Sequence, residues 1–179
     1  QLSAGVQVAG AVAPDVAAFS SRGPALAGDG DLLKPDIMAP GVDVLAAVSP
    51  AAGGRNCDFL SGTSMSSPHM AGLGALLKQA HPDWTPAMIK SAFMTTASQT
   101  RNNGSAIPGN PFGYGAGQVV PNSAVNPGLV YNAGFLDYLG FMCGTGQLPS
   151  GTCAAFGATV IAPSNLNYPS IAIGALSGA

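Results

Sequence analysis

Glutamate is absent from this sequence, and charge of either sign is scarce. The 8 acidic residues are all aspartates, set against 6 lysines and arginines, for a net charge of -2 over 179 residues. Charged residues make up 8% of the chain, against about 25% in an ordinary soluble domain. Six scattered basic side chains build no patch, so nucleic acid is excluded as an expected partner. Long apolar runs are missing too. No stretch reaches the ~18 residues of a membrane span. The best, residues 6–19, is broken by Pro14 and Asp15, so no membrane partner is expected either. Histidine occurs twice and cysteine three times, in no cluster of ligand spacing, and the aspartates are dispersed. No metal and no cofactor is expected. The chain opens on Gln1 with no basic-then-apolar leader, as a mature product or an excised piece would.

Glycine (25) and proline (15) are plentiful, yet a mean hydropathy of +0.31 is not that of a disordered segment. Residues 6–12 are β-prone until Pro14, and residues 42–48 (VDVLAAV) have the content of a buried strand. Residues 70–80 are apolar on almost every face before Lys78, which predicts a helix buried all round. Its glycines, Gly72 and Gly74, would admit close neighbours, and Pro68 would have to sit in its first turn. Thr85 followed by Pro86 predicts a second helix start, with Met88, Ile89, Ala92, Phe93 and Thr96 on one face. Residues 135–143 (FLDYLGFMC) suit a short amphipathic helix, and residues 165–173 (NLNYPSIAI) a strand carrying a proline. Cys143 and Cys153 are close enough to close a short loop, leaving Cys57; three buried thiols is the alternative. Low charge and a bridge would fit a secreted protein.

Residues 61–72 read SGTSMSSPHMAG. A nucleophilic serine needs a base, a group to orient that base, and donors for the oxyanion. A helix N-terminus supplies the donors. Gly62 permits a sharp approach and Ser64 falls where the helix begins, ahead of Ser66, Ser67 and Pro68. Ser64 is therefore the candidate nucleophile, although a serine there often only caps its helix. An anion-holding module is a competing reading, but the lysine of a phosphate loop is missing, and Lys78 lies at the far end of the helix.

GTSMSSPHMAG followed by an apolar helix closely resembles the active-site serine segment of the subtilisin-like serine proteases, the subtilases. VAAFSSRGP and LLKPDIMAPGVDVLAAV before it, and HPDWTPAMIKSAFMTTA, PFGYGAGQVVPNSAVNPGLVY, DYLGFMC and LNYPSI after it, resemble the plant-type branch. The resemblance runs from about Val12 to Ile173. It implies an α/β fold, the C-terminal portion of a parallel-sheet domain with helices on both faces. It implies a serine endopeptidase acting on polypeptide substrates through an acyl-enzyme on Ser64, with His69 structural. The family's catalytic aspartate, its His-Gly-Thr histidine and its Ser-Ala-Gly-Asn asparagine have no counterpart in this chain. The expected partner is thus a missing N-terminal half of the same protease, and the chain alone is expected to be inactive; a pseudoprotease scaffold is the alternative. Residues 1–162 would belong to the peptidase domain. Residues 163–179 would open a fibronectin type III-like domain, whose lone first strand would be left mobile or would borrow an edge from a neighbour.

Overall fold

The computed structural model describes residues 10–166 and 168–174. Most of the strand expected over 6–12 lies outside them, and residues 10–12 join no ladder. In chain order, strand β1 (Val44–Ala47) pairs with strand β2 (Cys57–Leu60), followed by helices α1 (Thr63–Ala80), α2 (Pro86–Thr95), α3 (Pro111–Tyr114), α4 (Pro121–Ala124), α5 (Phe135–Gly144) and α6 (Ser150–Ala155).

Helices with a small sheet fit the expected α/β class, but the expected parallel sheet is not formed among the described residues. β1 and β2 are antiparallel, with Val44 opposite Leu60 and Ala47 opposite Cys57. Parallel pairing is confined to a bridge between Met38 and Gln118. There Met38 N–H donates to Gly117 O (2.8 Å) and Val119 N–H to Met38 O (3.0 Å). On its other side Gln118 exchanges two hydrogen bonds with Ser98. Residues 116–119 thus form the middle of a rudimentary three-stranded layer.

The principal core lies between α1, α2, α4 and this layer. Leu77, Ala92, Phe93, Val119 and Ala124 are buried there, with Ile37, Met70 and Trp84 packed against them. α2 starts as its sequence predicts: Thr85 Oγ1 accepts a bond from Met88 N–H (3.2 Å) and Pro86 takes the first helical position. Four consecutive α2 residues, Ser91 to Met94, are buried, a wider contact than the expected stripe. The buried Ser91 hydroxyl accepts Tyr131 N–H at 2.8 Å, which satisfies it.

α1 departs from expectation. Only Leu77 is buried, while Leu76 is 63% exposed, and added Cβ atoms at Gly72 and Gly74 would meet nothing. This chain covers one side of α1, with α2 and residues 37–39. The β pair is likewise uncovered rather than buried, with Leu45 and Phe59 exposed, because no second layer lies against it among the described residues. Among the described residues, no helix is long and apolar enough to cross a membrane.

The C-terminal third is held by two further clusters. Cys143 and Cys153 form a disulfide joining α5 to α6, packed with Leu139; Cys57 is free and exposed. Residues 165–173 make no ladder among the described residues. Instead Leu166 and Tyr168 are buried against Met94, so this segment is fixed by side chains rather than by strand pairing. Tyr168 OH donates to Asp36, whose carboxylate also takes Lys34 and Lys90, each at 2.8 Å. Burial alone would raise the Asp36 carboxyl, but the bonds from Lys34, Lys90 and Tyr168 outweigh it and hold it below its ordinary range. Burial pushes the Tyr168 phenol up, and its bond to Asp36 adds to that.

Two outcomes are expected. Peptide mapping without reduction should recover a Cys143–Cys153 crosslink, and Cys153→Ser should lower unfolding stability by about 2–3 kcal/mol through loop entropy. A depressed carboxyl stabilises the fold above its unfolded value of about 3.9 and loses that contribution as pH falls through the folded value. Asp36→Asn should therefore cost about 1–3 kcal/mol near neutrality. It should also flatten the acid limb of stability below about pH 4, measured by thermal unfolding across pH.

Candidate active site

The start of α1 is built by two chain segments meeting. Residues 39–43 run past the turn that carries Ser61 to Ser66 and are fastened to it four times. Gly62 N–H donates to Gly41 O (2.8 Å). Ser66 Oγ donates to Ala39 O (2.9 Å). Ser61 Oγ accepts Asp43 N–H (2.8 Å) and donates to Asp43 Oδ1 (3.2 Å). Asp43 holds this position with a left-handed φ of 49°, a conformation that aspartate tolerates better than most residues. The approach is close enough to require glycine at 41: a Cβ there would lie 2.2 Å from Ser66 Oγ and 2.9 Å from Gly62 O.

This packing sorts the serines by role. Ser61 and Ser66 spend their hydroxyls on the clamp. Ser64 is the second residue of α1 and is exposed. The first amides of a helix have no carbonyl partner within it; Met65 N–H is taken by Gly62 O (3.0 Å), which leaves the Ser64 N–H at the positive end of the helix dipole. Pro68 sits beyond the first turn, one position deeper than expected, and has no N–H to offer the Ser64 carbonyl four residues back. A cavity of about 280 Å³ adjoins the turn, lined by Phe19, Val42, Thr63, Ser66, Ser67 and Met70 among others.

Neither histidine of the chain is bonded to Ser64. His69 Nδ1–H donates to Met65 O (2.7 Å) on its own helix. His81 ends α1, stacks on Trp84 at 3.8 Å, and bonds Val125 O through Nε2 (2.8 Å). No group of three or more His, Cys, Asp or Glu side chains could hold a metal ion among the described residues. The site thus presents an exposed hydroxyl and helix-terminal donors. Among the described residues, no histidine or carboxylate is hydrogen-bonded to the Ser64 hydroxyl. The clamp was not legible in the sequence. Its one local signal is Pro40-Gly41, a turn dipeptide whose partner lies some twenty residues on.

The sequence pattern of the Subtilase family matches residues 3–117. Two proteins of Arabidopsis thaliana, named Subtilisin-like protease SBT4.9 and Subtilisin-like protease SBT2.4, are each 46% identical to the chain, over 89% and 92% of it. The chain spans about a quarter of the length of these curated relatives, 24% and 23%. Among solved structures, fervidolysin from Fervidobacterium pennivorans, described as a keratinolytic enzyme related to subtilisin, aligns over 60% of this chain and 16% of that one. Its identity is 28% and its TM-score 0.45. Because the family pattern covers more than half of its length, and relatives this similar extend over most of the remainder, the chain belongs to the subtilase family and is related to the plant subtilisin-like proteases.

Proposed function

We propose that the chain is the serine-bearing, C-terminal part of the catalytic domain of a secreted subtilisin-like serine endopeptidase, with Ser64 as its nucleophile. The observation that carries this reading is an exposed serine directly after Gly62-Thr63 at the start of α1, in a chain of the subtilase family. In the reaction, Ser64 Oγ bonds to the carbonyl carbon of a peptide and gives its proton to a base. The tetrahedral intermediate collapses, the C–N bond breaks, and the amine leaves with that proton. Water then cleaves the acyl-enzyme ester and restores the hydroxyl. Within this chain the Ser64 N–H at the head of α1 faces the developing oxyanion, and the 39–43 clamp holds the turn rigid.

The base, its orienting carboxylate and a side-chain oxyanion donor have no motif in this sequence. They belong, on this reading, to an N-terminal half that completes the protease and its parallel sheet. The uncovered side of α1, with Leu76 exposed, and the roughly one-quarter span of the relatives both agree with such a half. The peptidase part ends near residue 162, and residues 163–179 lead into a further domain, with Leu166 and Tyr168 as its seam. The chain alone is then inactive, because triad members act as a unit and a serine without its base is an ordinary alcohol.

A fluorophosphonate probe reports only activated serines. The isolated chain should not be labelled. Adding the N-terminal half should produce labelling at Ser64 and peptide hydrolysis, and Ser64→Ala should remove both. Ser66→Ala should leave a labelled serine in place. Labelling that survives Ser64→Ala in the completed protein would overturn the assignment.

A further inference from the structure

Residues 163–166 and 168–174 lie across the loop of residues 28–36 and are fastened to it at Pro163, Leu166, Tyr168 and Gly174. Pro163 packs so closely on Gly28 that a Cβ there would lie 2.7 Å from its ring. Leu166 enters the cluster of Met94 and Leu32. Tyr168 OH bonds Asp36, receives Lys34 Nζ at 3.3 Å, and its ring lies 4.4 Å beneath Lys90 Nζ. Gly174 N–H donates to Asp31 Oδ1 at 2.8 Å, and a Cβ at Gly174 would fall 1.8 Å from Asp29 O.

The point gripped by Tyr168 is not neutral ground. Asp36 O accepts Ala116 N–H (2.9 Å), two residues later Met38 makes the parallel bridge to Gly117 and Val119, and then Ala39 and Gly41 clamp the first turn of α1. Gly41, whose carbonyl holds Gly62, therefore lies only five positions along the chain from the carboxylate held by Tyr168. Extended backbone bonded on one flank to residues 116–119 is stiff over such a length and transmits a shift rather than absorbing it.

We infer that residues 163–174 form a strap whose Tyr168–Asp36 contact fixes segment 36–41 and thereby sets the position of the α1 first turn, making Tyr168 and Asp36 positioning residues for Ser64. The last clause rests on the nucleophile reading above; the mechanical part does not. Whatever chain follows the strap is thereby coupled to the catalytic turn. A hydrogen bond to an ionised acceptor is among the stronger kinds, and Tyr168→Phe removes it together with the longer contact from Lys34 Nζ, leaving the ring under Lys90 and the pairs of Asp36 with Lys34 and Lys90 in place.

Two measurements test this. In hydrogen exchange on the chain itself, Tyr168→Phe should speed the amides of Met38, Gly62 and Val119 by about tenfold, with Thr145 in the disulfide hairpin unchanged. Asp31→Ala, which frees only the Gly174 end, should do the same more weakly and serves if Tyr168→Phe does not fold. Wild-type exchange at Gly62 while Gly174 alone speeds up would overturn the coupling. In the completed protease, Tyr168→Phe should lower kcat about tenfold with KM little changed, as misplacement of a nucleophile does. An unaltered kcat overturns the positioning role, whereas activity that persists in Ser64→Ala counts against the Ser64 reading and leaves the exchange result to decide the strap.

Discussion

The backbone of residues 36–41 is bonded on one flank to residues 116–119 and on the other to the first turn of α1. Most of what is ordered in the chain hangs on that double attachment. The core residues Leu77, Phe93 and Val119 meet because α1, α2 and the 116–119 layer are brought to the same place. Gly41 is the tightest point. With any side chain there, Ser66 and Gly62 would have to move, and Ser64 would move with them.

Scarcity of charge gives the few ionic contacts unusual weight. One half-buried carboxylate, Asp36, gathers two of the chain's lysines and the hydroxyl of Tyr168. Such a group costs desolvation and returns it only when its lone pairs are filled, and here three donors fill them. The same contact ties the start of the clamp to the end of the described chain, 132 residues away in sequence. The pair of Arg101 and Asp15 does similar work at the surface, across 86 residues. It is more exposed and contributes correspondingly less.

Apolar surface left open is informative when it follows a pattern. α1 carries apolar residues around its circumference, yet only one side is packed, and the β pair beside it shows Leu45 and Phe59 to solvent. A helix of this composition is at home between two layers, and this chain supplies one. The chain is a member of the subtilase family and spans about one quarter of the length of the curated relatives it matches, and the open apolar side of α1 is the feature on which the proposed partner half rests.

Local signals in the sequence determined the starts of α1 and α2. Thr85 and Pro86 announce α2 through capping chemistry that needs no distant partner. Gly62-Thr63-Ser64 before an apolar run marks the head of α1, and the ten-residue separation of Cys143 and Cys153 allows their bridge. These features are legible because the residues that cause them are neighbours in the chain. What the tertiary structure decided depends on partners far apart in sequence. Residues 42–48 have the composition of a buried strand, but burial depends on what lies above them, and among the described residues the strand stays mostly exposed. Residues 165–173 look like a strand, yet a strand needs an edge, and Leu166 and Tyr168 find a pocket and a carboxylate instead. The roles of Ser61, Ser66 and Asp43 could not be read locally either, since a hydroxyl becomes a clamp only when another segment arrives within hydrogen-bond distance. Composition and spacing thus set which groups were available; the meeting of the 36–43, 61–66 and 116–119 segments set which of them were used, because hydrogen bonds and van der Waals contacts act over a few ångströms and sequence separation does not report that distance.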